Sequence, residues 1–223
     1  MKRLQTTIRD TLGSSYETFL QGSYKNDTAI GDLDVDIVAI RKNTTSTVFT
    51  GLPPANPISW DTIFGEVRSR LESSGYYRGK TTTNDKCIMI ATQFTADVVP
   101  AVQIGNLDSD PIAIYSHREA KERKNFPRLH YANGVEKHTR TGQLFKPTVR
   151  MFKTWAHNHF PTDRRVAPSF YLESLVYNFD DSAFLRDSVE RFVHMASVIA
   201  DLAYASQKIV TVAGDKDILV ESE

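Results

Sequence analysis

The chain has 223 residues, 40% of them hydrophobic, with 27 basic and 27 acidic side chains, so its formal charge at neutral pH is zero. That length allows one large domain or two small lobes with a sizeable core, and the charge balance argues against a polyanion or membrane-surface binder. A lone Cys87 excludes an intrachain disulfide and makes a four-ligand Cys/His zinc site implausible. Residues 1–20 lack an apolar leader, and no run approaches the roughly 20 apolar residues of a bilayer span, so a soluble, unprocessed, cytoplasmic chain is expected.

Leu4, Ile8 and Leu12 recur at helical spacing and Gly13-Ser14-Ser15 ends the pattern, predicting a short helix followed by an extended segment from Tyr16 to Gln21. Asp34 to Ile40 is the clearest strand, and the polar, proline-containing stretch from Arg41 to Pro57 reads as a loop. Trp60, Ile63, Phe64, Val67 and Leu71 mark an amphipathic helix capped by Ser59 and closed near Gly75. Lys86–Ile90 and Phe94–Ile104 read as paired strands, with Cys87 as a buried core residue. Gly105 to Gly142 shows no clean period and is taken as the crossing between lobes. Beyond it the chain reads as helical. One helix starts near Lys146 with Pro147 in its first turn, a short stripe runs through Leu172, Leu175, Val176 and Phe179, and a longer one through Leu185, Val189, Phe192, Ala196, Ile199 and Ala203. The expected fold class is α+β: a mixed-sheet catalytic lobe over residues 1–135, followed by a small helical bundle lobe over 136–223.

The chemistry sits on three motifs. In Leu33-Asp34-Val35-Asp36-Ile37-Val38 the side chains alternate faces, so Asp34 and Asp36 point one way while Val35 and Ile37 point the other. Asp97 lies in a second apolar strand, Ala96-Asp97-Val98-Val99-Pro100. Carboxylates of like charge on a strand of Leu, Val and Ile repel unless a cation sits between them, and two divalent ions about 3.5–4 Å apart need such a converging set. Asp32 offers the same spacing with Asp34, but it stands at the turn leading into the strand. Gly22-Ser23 follows an extended segment and precedes Lys25, Asn26 and Thr28, so its amides and hydroxyl suit a small concavity for a triphosphate. Together these residues read as a two-metal nucleotidyl-transfer site.

A second group, Lys146, Arg150, Lys153 and His157, falls on one helix face and suits either phosphate or a solvated surface, with Lys153 the better phosphate ligand of the four. Ser169, after Pro168, either offers its hydroxyl to the same anion or simply caps a helix. From His117 to Arg165 there are twelve Lys or Arg against four Asp or Glu, a local excess that also suits polyphosphate or plain solvation. Tyr171 and Tyr177 read as core or base-stacking residues, with core the better reading.

Gly22-Ser23, Asp34-Val35-Asp36 and Asp97 resemble the catalytic set of the polymerase-β-type nucleotidyltransferase superfamily. Asp97-Val98-Val99-Pro100-Ala101, Lys146-Pro147-Thr148-Val149-Arg150-Met151-Phe152-Lys153 and Pro168-Ser169-Phe170-Tyr171-Leu172-Glu173 resemble its bacterial cyclic-dinucleotide-synthase-like branch, related to oligoadenylate synthases. The resemblance covers nearly the whole chain. It implies that Asp34 and Asp36 bind two Mg²⁺ ions, with Mn²⁺ a possible substitute, and that Asp97 completes the metal near the attacking hydroxyl. Gly22 and Ser23 would hold the donor triphosphate, assisted by Lys146, Lys153 and Ser169. The implied substrates are ATP, GTP or related nucleoside triphosphates, and the implied product is a cyclic di- or oligonucleotide messenger for an antiphage effector, with no membrane or long nucleic acid involved. Two other readings stay open: transfer of one nucleotide to tRNA, a protein or a small molecule, and a nucleotide sensor without turnover. The family's chains usually continue past the pattern seen from Asp215 to Glu223, so a truncated helical lobe is expected.

Overall fold

The computed structural model describes residues 2–31, 35–46, 48–49, 58–93, 95–104, 111–160, 168–203, 208–210 and 217–219. They form two compact units. The first holds Met1–Tyr24 and Asp32–Arg128, and the second holds Lys25–Gly31 and Leu129–Glu223.

In the first unit, α1 (Lys2–Leu12) buries Ile8 and Leu12 and stops where Gly13 turns left-handed at φ +72°. The Gly13 amide donates to the Arg9 carbonyl at 3.0 Å, satisfying one of the helix's last acceptors. β1 (Tyr16–Gln21) leads into the short α2 (Gly22–Asn26), and β2 (Val35–Thr45) returns antiparallel to β1. α3 (Trp60–Ser73) is capped as expected, with the Ser59 hydroxyl accepting the Thr62 amide, and buries Ile63, Phe64, Val67 and Leu71. β3 (Thr81–Thr83), β4 (Ile88–Ala91), β5 (Thr95–Gln103), β6 (Ile112–Ser116) and β7 (Lys121–Asn125) follow.

Among the described residues these strands make one seven-stranded sheet in which β2 and β5 run parallel side by side. The other edge of β5 is shared: β4 pairs with its first half and β6 with its last three residues. One face carries Val35, Ile37, Ala39, Ala96 and Val98 against Ile8, Leu12, Phe64, Val67 and Leu71, the main core. The opposite face carries Val38, Ile40, Ala101 and Ile112. Burying each such Leu, Ile or Val contributes roughly 1.5–3 kcal/mol.

Two expectations are corrected. Arg41–Thr45, read as loop, continues β2, because Arg41 pairs with Tyr16 and with Val102, and Thr44 is buried. Gly105–Gly142, read as an aperiodic crossing, contains β6, β7 and α4 (Pro127–Arg140). β7 is Lys-Glu-Arg-Lys-Asn, which pairs with β6 alone among the described residues and needs no apolar face to do so.

The second unit is helical, as expected, built from α4, α5 (Phe145–His159), α6 (Ser169–Tyr177), a 3₁₀ turn at Asp181–Ala183 and α7 (Ser188–Ala203), with a short antiparallel pair β8 (Lys208–Val210) and β9 (Asp217–Leu219). Phe145, Val149, Phe152, Val176, Phe184 and Met195 form its buried centre, with Tyr177 and Phe179 packed against it. The α7 stripe is shifted from the expected one. Leu185 and Val189 are exposed, and Met195 joins Phe192, Ala196 and Ile199 on the packed face, because these four repeat at i, i+3, i+4 and i+7. No helix among the described residues is long and apolar enough to cross a membrane.

Candidate active site

Asp36 and Asp97 are direct register partners on the parallel strands β2 and β5. Partners on neighbouring strands lie about 4.8 Å apart and project to one face, here the face that continues into Val38, Ile40 and Ala101. The main apolar core lies on the other side of the sheet. Both carboxylates are half-buried, each near the start of its strand. They are flanked by Gln21, opposite Asp36 on β1, and Met89, opposite Asp97 on β4.

Gly22 follows Gln21 directly, and its φ of +74° turns the chain out of the sheet and into α2. A Cβ built there would stand 2.0 Å from Asp36 Oδ2. The glycine is therefore required by the Asp36 carboxylate as well as by its left-handed backbone. From the sequence the glycine is tied instead to a concavity for a triphosphate. Ser23 is the next residue of the turn and is half-buried.

Cys87 is buried at the start of β4, and its thiol is pushed up to about 12, first by burial and then by the charge and hydrogen bonding of Asp97. It is a packing residue beside a carboxylate, as its apolar neighbours suggested.

Asp34 lies outside the described residues, and among those described no group of three metal-binding side chains comes together. The donors that do meet suit a hard divalent cation: two registered carboxylates with no histidine, beside a glycine whose missing side chain makes room for the Asp36 oxygen.

Lys146, Lys153 and Ser169 belong to the second unit. Lys146 is half-buried in the first turn of α5, where its amide donates to His138 Nδ1 at 3.4 Å. Burial, then the charges of Lys146 and Arg150, hold the His138 imidazole below its ordinary value. Ser169 is the exposed first residue of α6 and is not its cap; Pro168 holds that position and makes no side-chain cap bond.

Lys153 departs from the simple picture of a basic face. It is 3% exposed, and its ammonium donates to Thr28 Oγ1 at 3.1 Å and Glu173 Oε2 at 3.4 Å. Burial pulls it toward neutrality against the attraction of Glu173. Burial is also the largest single influence on Glu173 and pushes its carboxyl up. His130, Lys153 and the Thr28 hydroxyl together outweigh it and hold Glu173 below the usual carboxylate range. Glu173 and His130 were missed as partners. The available signal was a carboxylate inside Leu172-Glu173-Ser174-Leu175-Val176, an otherwise buried run.

Residues 132–219 match the cGAS/DncV-like nucleotidyltransferase C-terminal helical domain. The chain is 33% identical over 190 residues to the cyclic UMP-AMP synthase of Rhodothermus marinus, an alignment that takes in 75% of this chain and 65% of that protein. The structure of a Rhodothermus marinus c-UMP-AMP synthase with Apcpp and Upnpp superposes with a TM-score of 0.75 at 28% identity, covering 97% of this chain and 82% of that one. The cyclic dinucleotide synthase of Elizabethkingia meningoseptica, solved with GTP and Apcpp, superposes with a TM-score of 0.81 at 24% identity, covering 97% and 83%. The α+β nucleotidyltransferase fold with a C-terminal helical domain follows from these matches. The chain is thus similar to cyclic nucleotide synthases over most of its length, and its residues 132–219 match the C-terminal helical domain of the cGAS/DncV-like nucleotidyltransferases.

Proposed function

We propose that this chain is a metal-dependent nucleotidyltransferase that joins nucleoside triphosphates into a cyclic di- or oligonucleotide messenger and releases pyrophosphate. The observation that carries the reading is the register of Asp36 with Asp97, with Gly22 turning against the Asp36 carboxylate. The similarity to cyclic nucleotide synthases supports the same conclusion.

In this reading Asp34, Asp36 and Asp97 hold two Mg²⁺ ions, or Mn²⁺ in their place. Bound divalent cations supply charge neutralisation on the phosphates and acidify the attacking hydroxyl. Gly22 and Ser23 hold the donor triphosphate, and Lys146, Lys153 and Ser169 assist with the phosphates. The proposed division is a catalytic core over 1–135 and a helical lobe over 136–223. Because relatives have been solved with adenine, uracil and guanine nucleotides, ATP together with a second ribonucleoside triphosphate is the first substrate pair to test. The product would act on a downstream effector in cytoplasmic antiphage defence, and zero net charge speaks against a long nucleic-acid partner.

The test is incubation with all four ribonucleoside triphosphates and Mg²⁺ or Mn²⁺, with phosphatase-resistant products read by mass spectrometry and Asp36→Asn run in parallel. A cyclic product that disappears in the variant is expected. Full pyrophosphate release by Asp36→Asn would overturn the assignment of the site, and an adduct on an added acceptor would replace the messenger reading by acceptor modification.

A further inference from the structure

Three consecutive residues of the second unit, Asn26, Asp27 and Thr28, are each held by side chains of that same unit. Asn26 and Thr28 are buried, the latter completely. The Asn26 amide lies 3.2 Å from His130 Nε2, which itself lies 2.9 Å from Glu173 Oε1. Asp27, left-handed at φ +58°, presents its carbonyl to Arg150 Nη1 and its carboxylate to the same guanidinium at 3.5 Å. The Thr28 hydroxyl donates to Glu173 Oε2 at 3.2 Å and accepts from Lys153.

Ionised Glu173 only accepts, so the contact with its Oε1 is donated by His130 Nε2–H. A buried carboxylate and ammonium are costly to desolvate, and apolar packing would hold two helices together at least as well. Here the ionic group is spent on a short non-periodic segment.

We propose that Glu173 is a positioning residue. With His130 and Lys153 it clamps Asn26–Thr28 and thereby sets the conformation of the short helix that begins at Gly22. This rests on the reading of Gly22-Ser23 as the triphosphate turn.

The experiment measures amide exchange by mass spectrometry over residues 22–31 in the wild-type chain, Glu173→Gln, Thr28→Val and Thr28→Ser, together with affinity for a non-hydrolysable ATP analogue. Glu173→Gln and Thr28→Val are expected to speed exchange in 22–31 at least tenfold while β2 and β5 stay as protected as in the wild type. Both should weaken nucleotide binding about tenfold or more, and Thr28→Ser, which keeps the hydroxyl, should restore both. Should Glu173→Gln fail to fold, the Thr28 pair decides alone. Unchanged exchange in 22–31, or an equal rise in every segment, would overturn the clamp. A wild-type chain that shows no nucleotide turnover yet gives the expected exchange pattern would overturn the enzymatic reading and leave the clamp standing.

Discussion

Replacing Gly22 by alanine separates the stability of the fold from the integrity of the site. Two effects add. A non-glycine residue at φ +74° costs roughly 1–2 kcal/mol in the left-handed region. The new Cβ would meet Asp36 Oδ2 at 2.0 Å, whereas ordinary contact begins near about 3.5 Å, so the oxygen must retreat by about 1.5 Å. That atom is the tip of a short, half-exposed side chain, and it can swing away at little cost to the fold. Stability should therefore fall by only about 1–2 kcal/mol, a drop in Tm of about 2–8 °C for a chain of this size. Activity should fall much further, since a displacement of about 1 Å at a reacting centre can cost about a hundredfold. The assay is pyrophosphate release alongside thermal melting for Gly22→Ala, Asp36→Ala and the double variant. In the double variant the clash disappears and only the backbone cost remains, so the two substitutions should be non-additive in stability by whatever strain the carboxylate had absorbed. Near-wild-type turnover by Gly22→Ala would refute the argument, because the Asp36 oxygen would then tolerate displacement.

Three further outcomes follow from the geometry. With its thiol pushed up to about 12 by burial and by Asp97, Cys87 should react with alkylating or disulfide reagents at pH 8 about a thousandfold more slowly than a free cysteine of pKa about 8.5. Unfolding should restore the rate, and fast labelling of the native chain would contradict the burial. Burial pushes the Glu66 carboxyl up most, but Arg41, Tyr16 and Arg70 outweigh it and hold the group below its ordinary value. Its folded pKa being depressed, its contribution is complete above the unfolded value near about 4.3 and is lost as the pH falls through the folded one. The stability gap between wild type and Glu66→Gln should be flat from neutrality down to about pH 5 and close below about pH 4; a gap that widens in acid would show the sign to be wrong. Phe145 is fully buried among Val149, Phe152, Val176 and Phe184, so Phe145→Ala should cost about 3–5 kcal/mol in urea denaturation. A loss under about 1 kcal/mol would mean the ring is not packed.

Much of the first unit was legible because its elements are locally consistent. The strand carrying Asp36 announces itself by charged residues set among Val and Ile, and α3 by five apolar residues at helical spacing with Ser59 before them. In both cases each residue records which way its own side chain faces, and the period follows. β7 has no such record. Lys121–Asn125 is held by backbone bonds to β6, which any sequence can make. The continuation of β2 through Thr45 was hidden for a related reason, since Arg41 and Thr44 owe their place to Tyr16, Glu66 and Val102 on other elements.

For the candidate site, the residue types and their face were determined by the sequence alone: Asp36 and Asp97 sit on strands because their neighbours are strand residues, and alternation sets the side from which they act. That the two stand in register was decided by the pairing of β2 with β5, residues far apart in the chain. Only the tertiary structure shows why position 22 is glycine, because the obstructing atom belongs to Asp36. It also turned Lys153 from one member of a basic stripe into a buried partner of Glu173 and Thr28. Periodicity describes one element's own faces, while the charge on an interior lysine is made tolerable by groups that periodicity does not see.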